Sequence, residues 1–209
     1  MTTANDQYYT REPGSASRPV ECQFAYRGKE LRFVTDAGVF SRGELDTGTR
    51  ILLDALPRDL SGDILDLGCG WGPIGISIQA SRPESRVWMT DVNLRALEWC
   101  RKNAERNGAK VTCLESDGFS ALEGLRFDAV VTNPPIRAGK QVIYQMFADA
   151  EKHLKPGGTL YLVIRKQQGA DSCRKYLATL FPTVETLDRS GGFHVLAARR
   201  EGAADGAAL

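Results

Sequence analysis

"ILDLGCGWGPIG", residues 64–75, begins as a buried strand and ends in a loop with glycines at 68, 70 and 72. Those glycines let the backbone turn sharply and leave room for a ligand to approach it. Pro73 suits the first position of the helix that follows, where its missing N–H costs nothing. A strand, a glycine loop and a helix in that order open an α/β unit, and in such sheets ligands bind beyond the carboxyl ends of the strands. One or two glycines would satisfy a tight turn; three of them, with Asp66 just inside the strand, point to a ligand. The spacing Gly70-x-Gly72-x-x-Gly75 also meets the dinucleotide fingerprint, with Asp91 21 residues beyond Gly70 and suited to a ribose.

Outward from this loop, strand-like and helix-like segments alternate. Apolar runs lie at 64–67, 87–90, 111–114, 127–132 and 160–164. Between them, Leu94, Leu97, Cys100 and Ala104 mark one helix face, Ile143, Met146, Phe147, Ala150 and Leu154 a second, and Cys173, Tyr176, Leu177 and Leu180 a third. Asn107-Gly108 and Pro156-Gly157-Gly158 are the expected helix stops. The alternation predicts a parallel sheet covered by helices on both faces. Its ends differ: 22–26 and 30–35, joined by Arg27-Gly28, predict a leading hairpin, followed by a helix over 49–56. The last runs, 184–188 and 194–198, are separated only by Arg189-Ser-Gly-Gly-Phe193. A parallel crossover needs about a dozen residues or more, so these two strands should be antiparallel. Polar residues 1–19 and the small-residue tail 201–209 are expected to be mobile, which leaves 20–200 as one domain.

Composition excludes several classes. With 42% hydrophobic and 25% charged residues among 209, the chain has a globular balance. No apolar stretch approaches the roughly 20 residues of a membrane helix, and the polar start is not a secretory signal. A net charge of +1 argues against indiscriminate nucleic-acid binding while leaving room for a local patch. Five cysteines (22, 69, 100, 113, 173) without a CxxC, and only two histidines, assemble no zinc site, so no metal is expected. Reduced cysteines in a cytoplasmic protein are the simplest account.

Carboxylates end the next two strands. Asp91 can accept both hydroxyls of a ribose or cap the following helix, a task Asn93 would serve equally. Asp117-Gly118 can accept from an adenine amine or form a simple turn. A different ending follows the strand at 127–132, in "TNPPIRAGK", residues 132–140. Two prolines there forbid helix, remove two donors and hold Asn133 and Pro134 near extended geometry. Bare, rigid acceptors at a strand end call for a ligand with hydrogens to give.

Asp66-Leu-Gly-Cys-Gly-Trp-Gly72, Asp91, Asp117 and Asn133-Pro-Pro-Ile136 together resemble the Rossmann-like S-adenosylmethionine-dependent methyltransferases, over about residues 20–200. Residues 36–49, DAGVFSRGELDTGT, resemble the segment preceding the catalytic domain of small-subunit ribosomal RNA guanine-N-methyltransferases. The resemblance implies a seven-stranded sheet with an antiparallel last strand. It implies S-adenosylmethionine as cofactor, with Asp66, Gly68, Cys69 and Gly70 near its methionine part. Asp91, with Val92 and Asn93, would serve the ribose, and Asp117 with Gly118 the adenine; Asn133 borders the same site. Phe40 and Thr47 would approach from the other side.

The resemblance also explains the prolines. An exocyclic amine shares its lone pair with the ring and is a poor nucleophile. The Asn133 side-chain oxygen and the Pro134 carbonyl would take its two hydrogens and aim the lone pair at the methyl, catalysis by positioning. Ile136 stands where many relatives carry an aromatic residue, and an aliphatic wall gives up aromatic stacking of about 1–3 kcal/mol per base. Arg137 and Lys140, with Arg165 and Lys166 at the end of the next strand, fall on the ligand edge and suit phosphates. The family commonly carries a duplicated domain in front, and no counterpart to it is expected here. Target selection would then rest with a small patch, a partner protein or a homodimer. The expected activity is methyl transfer to an exocyclic amine, foremost guanine in ribosomal RNA. Adenine and a protein glutamine amide are the near alternatives. A nicotinamide-dependent oxidoreductase and a non-catalytic cofactor-binding module are the distant ones.

Overall fold

A computed structural model describes residues 11–202; the remainder of the two ends expected to be mobile, 1–10 and 203–209, lies outside the described residues. In order, the elements are β1 (Val20–Tyr26), β2 (Lys29–Thr35), α1 (Thr47–Ala55), β3 (Asp63–Leu67), α2 (Pro73–Ser81), β4 (Arg86–Asp91) and α3 (Leu94–Arg106). They continue through β5 (Val111–Glu115), β6 (Phe127–Thr132), α4 (Lys140–His153), β7 (Leu154–Arg165), α5 (Ala170–Leu180), β8 (Thr183–Ser190) and β9 (Phe193–Arg199). Seven strands form one sheet in the order β5-β4-β3-β6-β7-β9-β8. Pairings from β5 to β7 are parallel, whereas β9 runs antiparallel to both β7 and β8. The chain moves from β3 out to β5 and returns to β6 on the other side of β3. The topological switch point, where ligands bind in open α/β sheets, therefore falls between β3 and β6.

Alternating side chains explain why the strand sequences read as continuous apolar runs. Ile64, Met89, Val131 and Val163 pack on one face with the hairpin and α1–α3, and Leu65, Leu67, Val130 and Leu162 on the other with α4 and α5. The β1–β2 hairpin turns at Arg27 and Gly28, both at positive φ (48° and 78°), the geometry that matches the twist of paired strands. Its open edge is closed by two amides of α3. The Asn103 side chain accepts from Val34 N (2.7 Å) and donates to Val34 O (2.9 Å), and Asn107 repeats the pair on Arg32. Backbone groups that would otherwise offer a template for aggregation are thus satisfied.

The expected stop at Pro156-Gly157-Gly158 behaves differently. α4 ends at His153, and β7 starts at Leu154, so the triplet lies within the strand. The register against β6 jumps there, from Phe127↔Leu154 to Ala129↔Thr159. A bulge needs no ladder N–H from Pro156, and a Cβ on Gly158 would stand 3.0 Å from the Phe127 carbonyl. The predicted helix over 49–56 starts earlier, at Thr47, because Asp46 caps it by accepting from Thr49 N (2.9 Å). The described part of the leading segment is irregular but bonded to the domain. Arg11 O accepts from Leu94 N (2.9 Å), and the Ser17 hydroxyl donates to Asp36 (2.7 Å).

Candidate active site

The loop after β3 is held by its own backbone. Gly68 N and Cys69 N both donate to Thr90 O of β4 (2.9 and 2.8 Å), and Gly70 N donates to the Asp91 carboxylate (2.8 Å). Gly68 and Gly70 take positive φ (73° and 56°), and a Cβ on either would point into open space. That open side is where a ligand can lie against the backbone. Gly75 has the opposite role. A side chain there would meet Met89 at 2.8 Å, so this glycine serves close packing of α2 on β4. Trp71 is buried and donates from its indole to Phe40 O (2.9 Å), which ties the segment 36–46 over the loop.

Asp66 is fully buried at the amino end of α2. One oxygen accepts from Gly75 N (2.8 Å), where the helix dipole favours an anion; the other has no hydrogen-bond partner among the described residues. Burial pushes its carboxyl up to about 7, against the Gly75 N–H and with the help of the Asp91 charge. Asp91 accepts from Asn93 N (2.9 Å) as well as from Gly70 N. Burial raises its pKa too, opposed by those backbone donors. Two N–H bonds leave a carboxylate lone pairs for further donors.

Asn93 caps the helix that follows Asp91. Its oxygen caps α3 by accepting from Ala96 N (3.1 Å), and its nitrogen donates to Gly38 O (3.0 Å). The side chain is committed at both ends, and its backbone N–H is given to Asp91. Ser116 shapes the third strand end: its hydroxyl donates to Gly118 O (2.9 Å) and accepts from Ala121 N (3.1 Å). This leaves Asp117 exposed.

Across the switch point, the Thr132 hydroxyl donates to Leu67 O (2.8 Å) and locks the end of β6 to the end of β3. The next residue, Asn133, donates from its side-chain nitrogen to the Asp46 carboxylate (3.1 Å) and to the Thr49 hydroxyl (3.0 Å). A carboxylate only accepts, so the amide nitrogen must face Asp46 and the amide oxygen must face away. Pro134 O is not bare: it accepts from Ile136 N (2.8 Å). Pro135 at φ −74°, ψ 76° makes an inverse γ-turn that folds Ile136 back, a donor that the two prolines do not exclude. A carbonyl has two lone pairs, so one remains.

Ile136 is half-buried at the mouth of a cavity of about 220 Å³ with Lys140, Ile143, Tyr144 and Ile164. Tyr144 stacks on Tyr176 with centroids 3.9 Å apart; helical spacing marked Tyr176 only as part of a helix face and did not mark Tyr144. Arg137, Lys140, Arg165 and Lys166 are all exposed, the first two between the end of β6 and the start of α4, the others at the end of β7 and just after it. Lys140 and Arg165 lie over the rings of Tyr144 and Phe193. A larger cavity of about 670 Å³ lies against the hairpin, lined by Phe24, Phe33 and Arg50 among others, and by none of the candidate cofactor or substrate residues. Among the described residues, no group of histidine, cysteine and carboxylate side chains could hold a metal, and no helix is long and apolar enough to cross a membrane.

A seven-stranded sheet with β9 antiparallel, a glycine loop after β3, carboxylates at Asp66 inside β3 and Asp91 at the end of β4, and an Asn-Pro-Pro at the switch point define a Rossmann-like methyltransferase. The chain belongs to the methyltransferase small domain family, whose profile matches residues 30–197. It is 39% identical over 199 residues to the uncharacterized protein YbxB of Bacillus subtilis (strain 168), covering 94% of this chain and 99% of that one. It is 40% identical over 168 residues to ribosomal RNA small subunit methyltransferase C of Pseudoalteromonas atlantica, covering 78% of this chain and 48% of that protein. Among solved structures, the 16S rRNA N2 methyltransferase RsmC of T. Thermophilus, in complex with AdoMet and guanosine, superposes with a TM-score of 0.81 at 30% identity. That match covers 90% of this chain and 52% of the other. The chain thus spans about half the length of the ribosomal RNA methyltransferases it matches.

Proposed function

We propose that this chain transfers a methyl group from S-adenosylmethionine to an exocyclic amine, that of guanine in ribosomal RNA. The observation that carries the proposal is the orientation of Asn133. Its nitrogen is anchored to Asp46 and Thr49, which presents its oxygen as a fixed acceptor at the switch point. The ribosomal RNA methyltransferases among its relatives support guanine and RNA as the target.

The residues present fit the cofactor. Gly68 and Gly70 are open on the ligand side, Asp91 has lone pairs left for ribose hydroxyls, and Asp117 is an exposed acceptor for an amine. Bound S-adenosylmethionine supplies an electrophilic methyl on a sulfonium. The chain's own work is positional. Asn133 Oδ1 and the second lone pair of Pro134 O take the two amine hydrogens and turn the nitrogen lone pair outward. The methylated amine then carries a surplus proton, acidic enough to pass to water without a strong base. Arg137, Lys140, Arg165 and Lys166 meet the phosphates around the target, and Ile136 lies against its base.

Incubation with methyl-labelled cofactor and ribosomal RNA, digestion to nucleosides and identification of the labelled one tests the proposal. Label on methylguanosine is the expected result. Label on adenosine would keep the mechanism and change the base. Label only in protein would move the substrate to a glutamine amide.

A further inference from the structure

We infer that Asp46 and Thr49 are positioning residues that set which end of the Asn133 amide faces the substrate. The inference rests on the methyl-transfer proposal and names the device behind it. An asparagine side chain presents an acceptor at one end and a donor at the other, separated by a half-turn about one bond. If the nitrogen faced the target amine, two donors would oppose each other and the amine would be turned away. The sequence around Asn133 cannot settle the choice, because neighbouring Pro134 and Pro135 offer no N–H to hold the amide oxygen.

Three contacts settle it. The Asn133 nitrogen donates to one Asp46 oxygen at 3.1 Å and to the Thr49 hydroxyl at 3.0 Å. The Thr49 hydroxyl donates in turn to that same Asp46 oxygen at 3.4 Å, so its lone pair is directed to Asn133. Flipping the amide would set its oxygen against a carboxylate. Donation into a carboxylate also polarises the amide and makes its oxygen a better acceptor. Asp46 is itself fixed, because the same oxygen accepts from Thr49 N at 2.9 Å as the cap of α1. One helix start thus holds the acceptor of a strand end 87 residues away.

Capping and positioning can be separated. Ser and Asn cap a helix about as well as Asp. Asp46→Ser keeps an oxygen for Thr49 N but is too short to reach Asn133. Asp46→Asn can place its oxygen where the shared carboxylate oxygen stands. The inference predicts that Asp46→Ser lowers kcat roughly ten- to a hundred-fold while cofactor affinity and the unfolding midpoint barely move. Asp46→Asn should restore most of the lost rate, and adding Thr49→Val to Asp46→Ser should deepen the loss. Wild-type kcat in Asp46→Ser, or equal damage in Asp46→Asn, would overturn it. An activity-free measurement separates this from failure of the functional proposal. In 15N-labelled protein the Asn133 side-chain amide protons should exchange slowly with solvent, and the Asp46→Ser, Thr49→Val double variant should release them. Fast exchange in the wild type would overturn the inference whatever the substrate proves to be.

Discussion

Replacing Asp66 by Asn tests the most unusual ionisable group at the site. The carboxyl is fully buried, one oxygen has a single backbone donor and the other has no partner among the described residues. Its pKa is therefore raised from 3.8 to about 7. An unfolded chain would ionise near 3.8, while the folded one holds the proton until about 7. The folded state thus binds more protons over that interval, and stability must fall as pH rises through it. At about 1.4 kcal/mol per pH unit, the loss amounts to ~4 kcal/mol, complete near pH 7 and absent below 3.8. Asp66→Asn keeps an acceptor for Gly75 N and cannot ionise. Its unmatched amide adds a cost that does not vary with pH. Urea unfolding of both proteins from pH 4.5 to 8 should show the wild type losing stability relative to the variant as pH rises, with the difference levelling above 7. Carboxylates common to both proteins cancel in that difference. A difference flat between pH 4.5 and 8 would refute the reasoning, because Asp66 would then ionise like an exposed carboxylate.

Asp91→Ala should weaken S-adenosylmethionine binding at least tenfold by calorimetry. It should also destabilise the fold by about 1–3 kcal/mol, since Gly70 N and Asn93 N both lose their acceptor. Asn133→Ala should leave cofactor affinity within a few-fold and slow methyl transfer by roughly a hundredfold, as for removal of one preorganised polar group; equal loss in both would place Asn133 in cofactor binding instead. Neutralising Arg137 and Lys140 together should reduce the salt slope of log K for single-stranded RNA by about 1.4, two contacts at ~0.7 each, with cofactor affinity unchanged. An unaltered slope would leave the pair as solvated surface charge.

What was legible in the sequence is what short stretches of backbone decide by themselves. Gly68 and Gly70 at positive φ, Pro73 opening α2, the Arg27-Gly28 turn and the short turn before β9, too short for a parallel crossover, each follow from local geometry, and together they fix the sheet. Four basic residues reach the ligand edge because parallel strands end together there. The misses involve a partner far along the chain. Asn103 reads as one polar residue on an apolar helix face, and only β2, 69 residues away, shows that it closes an edge. Pro156-Gly157-Gly158 reads as a stop until β6 supplies the register that makes it a bulge. Asp46 falls outside the helix predicted over 49–56, and its grip on Asn133 has no trace in either segment alone.

The same distinction decides between a dinucleotide and a sulfonium at the glycine loop. Gly70-x-Gly72-x-x-Gly75 meets the dinucleotide spacing, and spacing is local. A pyrophosphate, however, needs N–H groups at a helix start with nothing else to bind. Here Gly68 N and Cys69 N are spent on Thr90 O, Gly70 N on Asp91, and Gly75 N on Asp66, while Pro73 has no N–H to offer. The Asp66 carboxyl already takes the Gly75 amide at the start of α2, and a phosphate would set its charge beside the Asp91 carboxylate. A ligand with positive charge and hydroxyl donors meets the opposite balance: the Asp91 carboxylate, with lone pairs left for further donors. The loop that looks most like a phosphate cradle is therefore electrostatically suited to a cation, and the inward turn of its amides makes it so.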